Sequence, residues 1–246
     1  MKVFIVGDTH HDLDLEKINR ENLARLKISN DDILVHLGDI GVPYFGQEND
    51  AIYDYYRSLP FDIIVNLGNH ENYPWILKQP IIEKYSAKGY RLAENIFAPL
   101  IGEIANISST KLWFYPGGYS IDYFYRRWGE SVFAEELPTK KASDAAIEKL
   151  INSGGVDVII SHDGPREFIV SQFGYPIQPQ SRHYSDLSGS AETRVHPAFA
   201  LDEIYLNHPD LYQRWYFGHH HKDYCHGKLC CLFNKIEVLE LGENSA

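Results

Sequence analysis

The sequence has few cysteines, and this scarcity argues against a disulfide-stabilised secreted domain. Only three cysteines occur among 246 residues, an odd number confined to residues 225–231. With 44% hydrophobic residues, the chain can build a core large enough to fold without covalent cross-links. The composition therefore favours a reducing compartment and a fold that does not need disulfides.

Long hydrophobic runs are also missing, which argues against a membrane-spanning helix. Near the N-terminus, residues 3–6 are four apolar residues in a row, and glycine and an acid follow them directly. A signal sequence or a membrane span needs a longer run, and no other stretch approaches that length. We therefore expect a cytoplasmic protein with no membrane partner.

Basic residues are outnumbered, since 23 lysines and arginines stand against 34 aspartates and glutamates, a formal net charge of -11. No basic run is long enough to follow a phosphate backbone, which argues against duplex nucleic acid as the main partner. A chain of this length can form one α/β domain that buries about three quarters of its unfolded surface. Because no internal repeat or low-complexity linker divides the chain, we predict a single domain over residues 1–246.

What the sequence does contain is an alternation of short apolar runs with stretches of helical spacing. The predicted strands are residues 3–6, 33–37, 61–67, 103–107, 112–115, 156–160 and 215–217, with closing strands within residues 224–241. The predicted helices are residues 15–26, 51–59, 138–150 and 197–206, and residues 167–194 are predicted to be a long loop. Continuous apolar strands between helices are typical of an α/β fold whose strands are covered on both faces.

Short polar turns follow five of these strands directly. The carboxyl ends of the strands line the binding crevice of an open α/β sheet, so the turns are predicted to converge. One such turn alone is more often a plain turn or a capped helix start, and it is the repetition that indicates a site. The candidate residues are Asp8, His10, Asp39, Asn69, His70, His162, His219 and His221.

The donor types in these turns indicate which metals would bind. Carboxylates, an amide oxygen and imidazoles suit manganese, iron, zinc or nickel, and the absence of cysteine from the turns excludes a thiolate zinc site. His219 and His221, two positions apart, can face two neighbouring ions, and Asp39 is the natural bridge because each of its oxygens can face one ion. Two ions about 3.5 to 4 Å apart would clamp a phosphoryl group and bring the pKa of a bridging water to near 7.

Two further features are candidates for substrate chemistry. His70, next to Asn69, is placed to protonate the leaving oxygen as a general acid, and the alternative is a structural histidine held by Glu71. Residues 119–137 are rich in aromatic side chains and fit no clean period. They form either a surface loop with aromatic anchors or a lid that presents Arg126, whose planar guanidinium can take two phosphoryl oxygens at once.

The five turns resemble the five ordered motifs of the calcineurin-like metallophosphoesterases, and together they span residues 7–221. The resemblance implies a four-layer α/β/β/α sandwich with a dinuclear metal centre. It assigns Asp8, His10, Asp39 and His221 to one ion, and Asp39, Asn69, His162 and His219 to the other.

Two departures from the family pattern narrow the resemblance. His11 stands where the first motif usually has glycine, and residues 40–42 replace the acid or Asp-Arg-Gly that often follows the second motif. These differences argue against a true protein Ser/Thr phosphatase. Residues 117–122, together with Arg126, Glu135 and Glu136, resemble a lid found in uncharacterised phage and bacterial members of the family.

The predicted function is therefore a phosphoester hydrolase with two divalent transition-metal ions, manganese favoured, acting on a small phosphomonoester or a phosphoprotein. Asp39 and His70 are the predicted catalytic residues, and Asn69 and Arg126 are predicted to contact the substrate. One alternative is a phosphodiesterase acting on cyclic nucleotides, dinucleotides or nucleic acid. Another is a binding scaffold that has lost catalysis, which the complete set of seven ligands and His70 disfavours.

Overall fold

Two β-sheets pack face to face in the computed structural model, which describes residues 1–43, 50–178 and 193–240. The first sheet contains β1 (Lys2–Val6), β2 (Ile33–His36), β3 (Asp62–Val65), β4 (Ile81–Lys84), β5 (Ala87–Arg91), β6 (Ile96–Pro99) and β13 (Ile236–Glu240), in the order β13-β1-β2-β3-β6-β5-β4. The second sheet contains β7 (Ile104–Ile107), β8 (Thr110–Tyr115), β9 (Val156–Ser161), β10 (Tyr212–Phe217), β11 (Tyr224–His226) and β12 (Leu229–Cys231), in the order β11-β12-β10-β9-β8-β7.

Helices cover the outer face of each sheet. The α-helices are α1 (Arg20–Leu26), α2 (Ala51–Arg57), α3 (Tyr73–Ile76), α4 (Lys140–Asn152), α5 (Arg166–Phe173) and α6 (Pro197–Asn207), with 3-10 helices at Leu15–Ile18, Ala134–Glu136 and Pro209–Leu211. Helices α1 to α3 pack on the first sheet, and α4 to α6 pack on the second. Within the described parts of the chain, no helix has the length and apolar character needed to cross a membrane.

The continuous apolar runs are explained by burial on both faces of each sheet. In β1, Phe4 and Val6 face the helices, whereas Val3 and Ile5 pack against residues of the second sheet such as Phe114. These four residues of β1 are fully buried, because side chains alternate between the faces and both faces are covered. The layers therefore run helix, sheet, sheet, helix, which confirms the α/β fold class and the four-layer arrangement.

Parallel pairing brings the predicted turns to one edge of the molecule. Strands β1, β2 and β3 run parallel in the first sheet, as do β8, β9 and β10 in the second. Their carboxyl ends therefore lie together within each sheet. An Asp8 Oδ1 to His162 Nδ1 distance of 3.9 Å shows that the two edges meet.

The predicted loop over residues 167–194 is wrong at its start, where α5 forms. Phe168 and Ile169 on this helix are buried, and Gly174 ends the helix in the left-handed conformation with φ of 75°. The Gly, Pro, Gln and Ser content that predicted a loop belongs mainly to the residues after the helix. Residues 179–192 of this prediction lie outside the described residues.

The predicted helix over residues 15–26 is interrupted at Asn19. The Asn19 side chain accepts a hydrogen bond from the Asn22 amide, which starts α1 after a separate 3-10 turn. Strands β4, β5 and β6 lie within residues 81–99, where the sequence pattern predicted no strand. In β4 the exposed and half-buried residues alternate without a fully buried face, so its hydrophobic pattern is weak.

Two of the three cysteines are paired, contrary to the expectation from composition. Strands β11 and β12 form an antiparallel hairpin whose register places Cys225 opposite Cys230, and the two form a disulfide. Cys231 is buried and free. The pairing depends on the hairpin register, which residue spacing alone did not indicate.

Candidate metal centre

Four of the five polar turns bring their donor atoms into two adjacent groups. Asp8, His10 and His221 form the first group, and Asp39, His162 and His219 form the second. Within each group the potential ligand atoms all lie within 4.8 Å of one another. The six residues come from turns that follow β1, β2, β9 and β10, so both sheets contribute to the site.

Asp39 lies between the two groups. Its Oδ2 is 3.5 Å from His10 Nε2 in the first group, and its Oδ1 is 3.3 Å from His162 Nε2 in the second. One carboxylate oxygen thus faces each group, which is the orientation that a bridging ligand needs. The Asp39 side chain is almost fully buried, so its charge is poorly screened by water.

Hydrogen bonds around His162 leave a lone pair directed at the second group. Nδ1 of His162 lies 2.9 Å from the Leu37 carbonyl oxygen and donates to it, so Nε2 is unprotonated in the neutral ring. That nitrogen is 2.9 Å from Asn69 Oδ1, which is also an acceptor. In the neutral ring these two acceptors and the Asp39 carboxylate converge with no shared proton, and either a proton on Nε2 or a cation would satisfy all three.

The first group shows the same excess of acceptors. Asp8 Oδ1 is buried and has no hydrogen-bond partner, while Asp8 Oδ2 accepts from the His219 amide at 2.9 Å. His10 directs Nδ1 to Asp14 at 3.0 Å, which orients the ring so that Nε2 faces Asp39. The residues present therefore fit a divalent cation in each group.

The acidic residues change the proton affinity of the histidines. Burial opposes protonation of His162, but Asp39 and Asp8 outweigh it and raise the pKa of His162 to about 10. Burial likewise opposes protonation of His10, and Asp39 raises its pKa to about 9. A histidine ligand must be neutral, so metal binding near pH 7 must release these protons.

The backbone of the turns adopts unusual conformations. His10, Asp39, His219 and His221 have φ values of 44°, 54°, 62° and 49°, in the left-handed region that most residues avoid. A Cβ at Gly68 would lie 2.2 Å from Asp39 Oδ1, so only glycine allows this approach. Strained turns of this kind are concentrated at functional sites, where surrounding contacts hold them in place.

Glu71 joins two of the turns, whereas the sequence indicated it only as a partner of His70. Its carboxylate is buried and accepts hydrogen bonds from the backbone amides of Ile40, Gly41 and Gly68 at 3.0 to 3.2 Å. Burial, followed by the nearby Asp39 charge, raises the pKa of Glu71 to about 7. The side chain therefore holds the Asp39 turn against the Asn69 turn.

His70 lies beside the first group with its ring 5.6 Å from the His10 ring, edge to face. Its backbone amide donates to Asp39 Oδ1 at 2.8 Å, so the main chain fixes the residue against the predicted bridge. Burial lowers the pKa of His70, although the Asp39 charge opposes this. The ring lines the cavity next to the two groups, where a leaving oxygen could reach it.

Arg126 is engaged with side chains behind Asn69. Its Nη1 donates to Ser120 Oγ at 2.6 Å, and its Nη2 lies 3.3 Å from Glu136 Oε1 and 3.4 Å from the Asn69 carbonyl oxygen. The Arg126 side chain is only 12% exposed. Tyr119 in the same segment belongs to a separate buried apolar cluster. Part of the segment therefore packs in the way predicted for a surface loop with aromatic anchors.

Ser120, which the sequence did not identify, orients Asn69. Its hydroxyl accepts from Asn69 Nδ2 at 2.9 Å and donates to Glu136 Oε2 at 2.6 Å. Because Nδ2 is turned towards Ser120, Asn69 Oδ1 is turned towards His162. This contact joins residues 51 positions apart, so no local pattern could reveal it.

We expect Ser120→Ala to weaken metal binding in the second group. Without the hydroxyl, the Asn69 amide loses the contact that presents Oδ1, and losses of about 10- to 100-fold in metal affinity are typical for residues that orient a ligand. Calorimetric titration with Mn²⁺ would measure the loss, Ser131→Ala in the same segment is the matched control, and Ser120→Thr should restore affinity. Unchanged affinity in Ser120→Ala would contradict the positioning role.

Comparison with known proteins agrees with this geometry. A family model described as Calcineurin-like phosphoesterase matches residues 1–223, a range that includes all five turns. No curated protein matches the chain. Since the match covers most of the sequence and every residue of the two ligand groups, the chain belongs to the calcineurin-like phosphoesterase family.

Proposed function

We propose that the protein hydrolyses small phosphomonoesters with two divalent transition-metal ions, manganese being favoured over iron, zinc or nickel. Membership of the family and the two ligand groups support a metal-dependent phosphoesterase. The observation that carries the two-ion proposal is the position of Asp39, with one oxygen directed at each group. Two such ions supply positive charge that polarises the phosphoryl group and a lowered pKa for water.

The protein's own residues would perform the remaining steps. Asp39 lies between the two groups, and Asn69 presents its amide oxygen to the second group, while an N–H of its amide nitrogen would donate to the substrate phosphoryl group. In its protonated form, which its lowered pKa confines to the more acidic range, His70 beside the cavity supplies a proton to the leaving oxygen. The Asp39 carboxylate accepts a hydrogen bond from the His70 amide, so the His70 backbone is held beside the ligand groups.

A panel of chromogenic monoesters and diesters, assayed with Mn²⁺, tests this proposal. We expect monoesters to be hydrolysed faster than diesters. Faster hydrolysis of diesters would instead support the phosphodiesterase alternative, and a protein that binds two ions but hydrolyses no ester would support the binding scaffold. A phosphoprotein substrate, a cytoplasmic location and the absence of membrane or duplex nucleic-acid partners stay predictions.

Arg126 is proposed to take two phosphoryl oxygens after its guanidinium turns from Ser120 and Glu136, which it contacts in the structure, and Arg126→Lys tests this role. The guanidinium lies beside Asn69, and a lysine ammonium cannot reproduce its bidentate contact. We expect a rise of about tenfold in KM, a matching loss of inhibition by free phosphate, and unchanged metal content. Arg127→Lys is the control, because the Arg127 side chain is 82% exposed. A loss of metal without a change in phosphate inhibition would assign Arg126 to holding Ser120 and Asn69 instead.

A further inference from the structure

A cavity of about 530 Å³ extends from the candidate metal centre along the aromatic-rich segment. Asn69, His70 and His219 border it on the metal side. The remaining lining is mainly aromatic and aliphatic, namely Tyr119, Ile121, Tyr175, Pro176, Ile177 and His196. Small-molecule sites usually fall between about 300 and 1,000 Å³, so the cavity can hold a phosphoryl group together with a compact organic group.

The charges around this cavity restrict what the organic group can be. Among the described residues that line it, none is lysine or arginine, whereas Asp122 and Asp163 contribute carboxylates in addition to that of Asp39 in the candidate metal centre. Away from the metal ligand groups, a second phosphate or an acidic peptide would meet Asp122 and Asp163 without a compensating lysine or arginine in the lining. The cavity therefore favours an uncharged or cationic organic group.

Asp163 offers a hydrogen-bond acceptor at the cavity wall. Its Oδ1 accepts from the Gly164 amide and from His220 Nε2, both at 2.8 Å. Its Oδ2 is buried and has no hydrogen-bond partner. His220 cannot serve Oδ2 as well, since its Nδ1 is engaged with the Tyr175 hydroxyl at 2.7 Å.

His196 also lies near this oxygen, but the ring nitrogen that faces Oδ2 is an acceptor and not a donor. His196 Nδ1 lies 3.7 Å from Asp163 Oδ2, but the same nitrogen accepts a hydrogen bond from the Ala198 amide at 3.2 Å. Nδ1 is therefore a lone pair, and burial lowers the pKa of His196, which keeps the ring neutral near pH 7. Tyr119 stacks on His196 with ring centroids 5.0 Å apart and holds it in place.

A buried carboxylate oxygen without a donor is costly, and proteins usually keep such atoms where a ligand or water completes them. We propose that the part of the cavity beside Asp163 and His196 binds the organic group of the phosphoester, and that this group donates an N–H to Asp163 Oδ2. The proposal rests on the proposed phosphoesterase function. It narrows the substrates to phosphoesters whose organic group is uncharged or cationic and carries an amino group.

Two chemical sources can provide this N–H, an amino-substituted nucleobase or an aminoalkyl chain, and paired ligands distinguish them. Phosphonates are suitable because the bond from phosphorus to the organic group is not hydrolysed. The first pair is 2-aminoethylphosphonate and n-propylphosphonate, which have the same shape. The second pair is the 5′-methylenephosphonates of adenosine and of purine riboside, which differ in one exocyclic amino group.

Calorimetry on the Mn²⁺-loaded protein would measure the dissociation constants of both pairs. We expect the amino member of one pair to bind about 10- to 100-fold more tightly, since a buried charged acceptor discriminates strongly against a ligand that leaves it unpaired. The pair that shows the difference identifies the source of the N–H. Equal binding within both pairs would overturn the proposal and leave a bound water as the partner of Asp163.

Asp163→Asn is expected to reduce the difference to less than about twofold. The asparagine oxygen can still accept from Gly164 and His220, which places its amide N–H₂ where Oδ2 was and turns the acceptor into a donor. Asp122→Asn is the matched control, because it removes a second carboxylate that lines the cavity outside the metal ligand groups, and its side chain is 46% exposed. A preference that persists in Asp163→Asn, in protein with normal metal content, would also overturn the proposal.

The failure of this inference and the failure of the proposed function are distinguishable. Hydrolysis of nitrophenyl esters is measured on the same preparation, without the paired phosphonates. Hydrolysis with equal phosphonate binding overturns the inference alone, whereas a binding difference without hydrolysis overturns the proposed function alone. Since the comparison in the unaltered protein needs no variant, poor folding of Asp163→Asn would not remove the test.

Discussion

Replacing Asp39 with asparagine is expected to lower the affinity of both metal positions by more than about 100-fold, beyond the loss typical of residues that only orient a ligand. Each Asp39 oxygen faces one ligand group, so the change removes negative charge from both. The fold should be preserved, because asparagine tolerates the left-handed conformation that Asp39 adopts at φ of 54°. Elemental analysis after Mn²⁺ reconstitution would measure the loss.

Asp12→Asn is the matched control for this experiment. Asp12 lies two residues from His10, but its side chain is 67% exposed and forms its contact with His11. We expect this variant to keep the metal content of the unaltered protein. A loss at only one position in Asp39→Asn would mean that Asp39 does not bridge, and a stoichiometry below one ion per unaltered chain would contradict the two-ion proposal.

His70→Asn is expected to lower kcat by about 10²- to 10⁴-fold while metal binding is retained, the range for loss of one general acid. The contact between this residue and Asp39 comes from the backbone amide and survives the substitution. The loss should be large for alkyl esters, whose leaving oxygen needs a proton, and small for nitrophenyl esters, whose leaving group is stable without one. Steady-state kinetics on both ester types would measure the two losses.

His11→Asn provides the comparison for His70. The His11 ring is directed to Asp12 and Asp50, and we expect kcat to change little. An equal loss for alkyl and nitrophenyl esters in His70→Asn would argue against proton donation. Loss of metal in the same variant would instead indicate that His70 supports the ligand groups.

Much of the site was predictable because its residues are concentrated in short segments. Glycine followed by an acid or a histidine recurs after strand-like runs, and parallel pairing then brings such turns to one edge. The apolar runs likewise indicated strands buried on two faces, as β1 shows. The α5 helix was missed because its own residues were read together with the loop-forming composition that follows.

Residues that support the site were beyond the reach of the sequence because their partners are distant along the chain. Ser120 and Asn69 are 51 positions apart, and Asp163 and His220 are 57 apart. An isolated serine or aspartate carries no periodic or motif signal, and only packing decides which polar atoms meet. The Cys225–Cys230 disulfide also depended on hairpin register.

The sequence by itself determined the types of ligand, their order along the chain and the α/β fold class, since each depends on local chemistry and on hydrophobic periodicity. The tertiary structure alone decided that Asp39 faces both ligand groups, that Glu71 joins two turns through backbone amides, and that one oxygen of Asp163 lacks a donor. These properties depend on the directions of individual atoms, which are set by long-range packing of two sheets and not by the order of residues within any one segment.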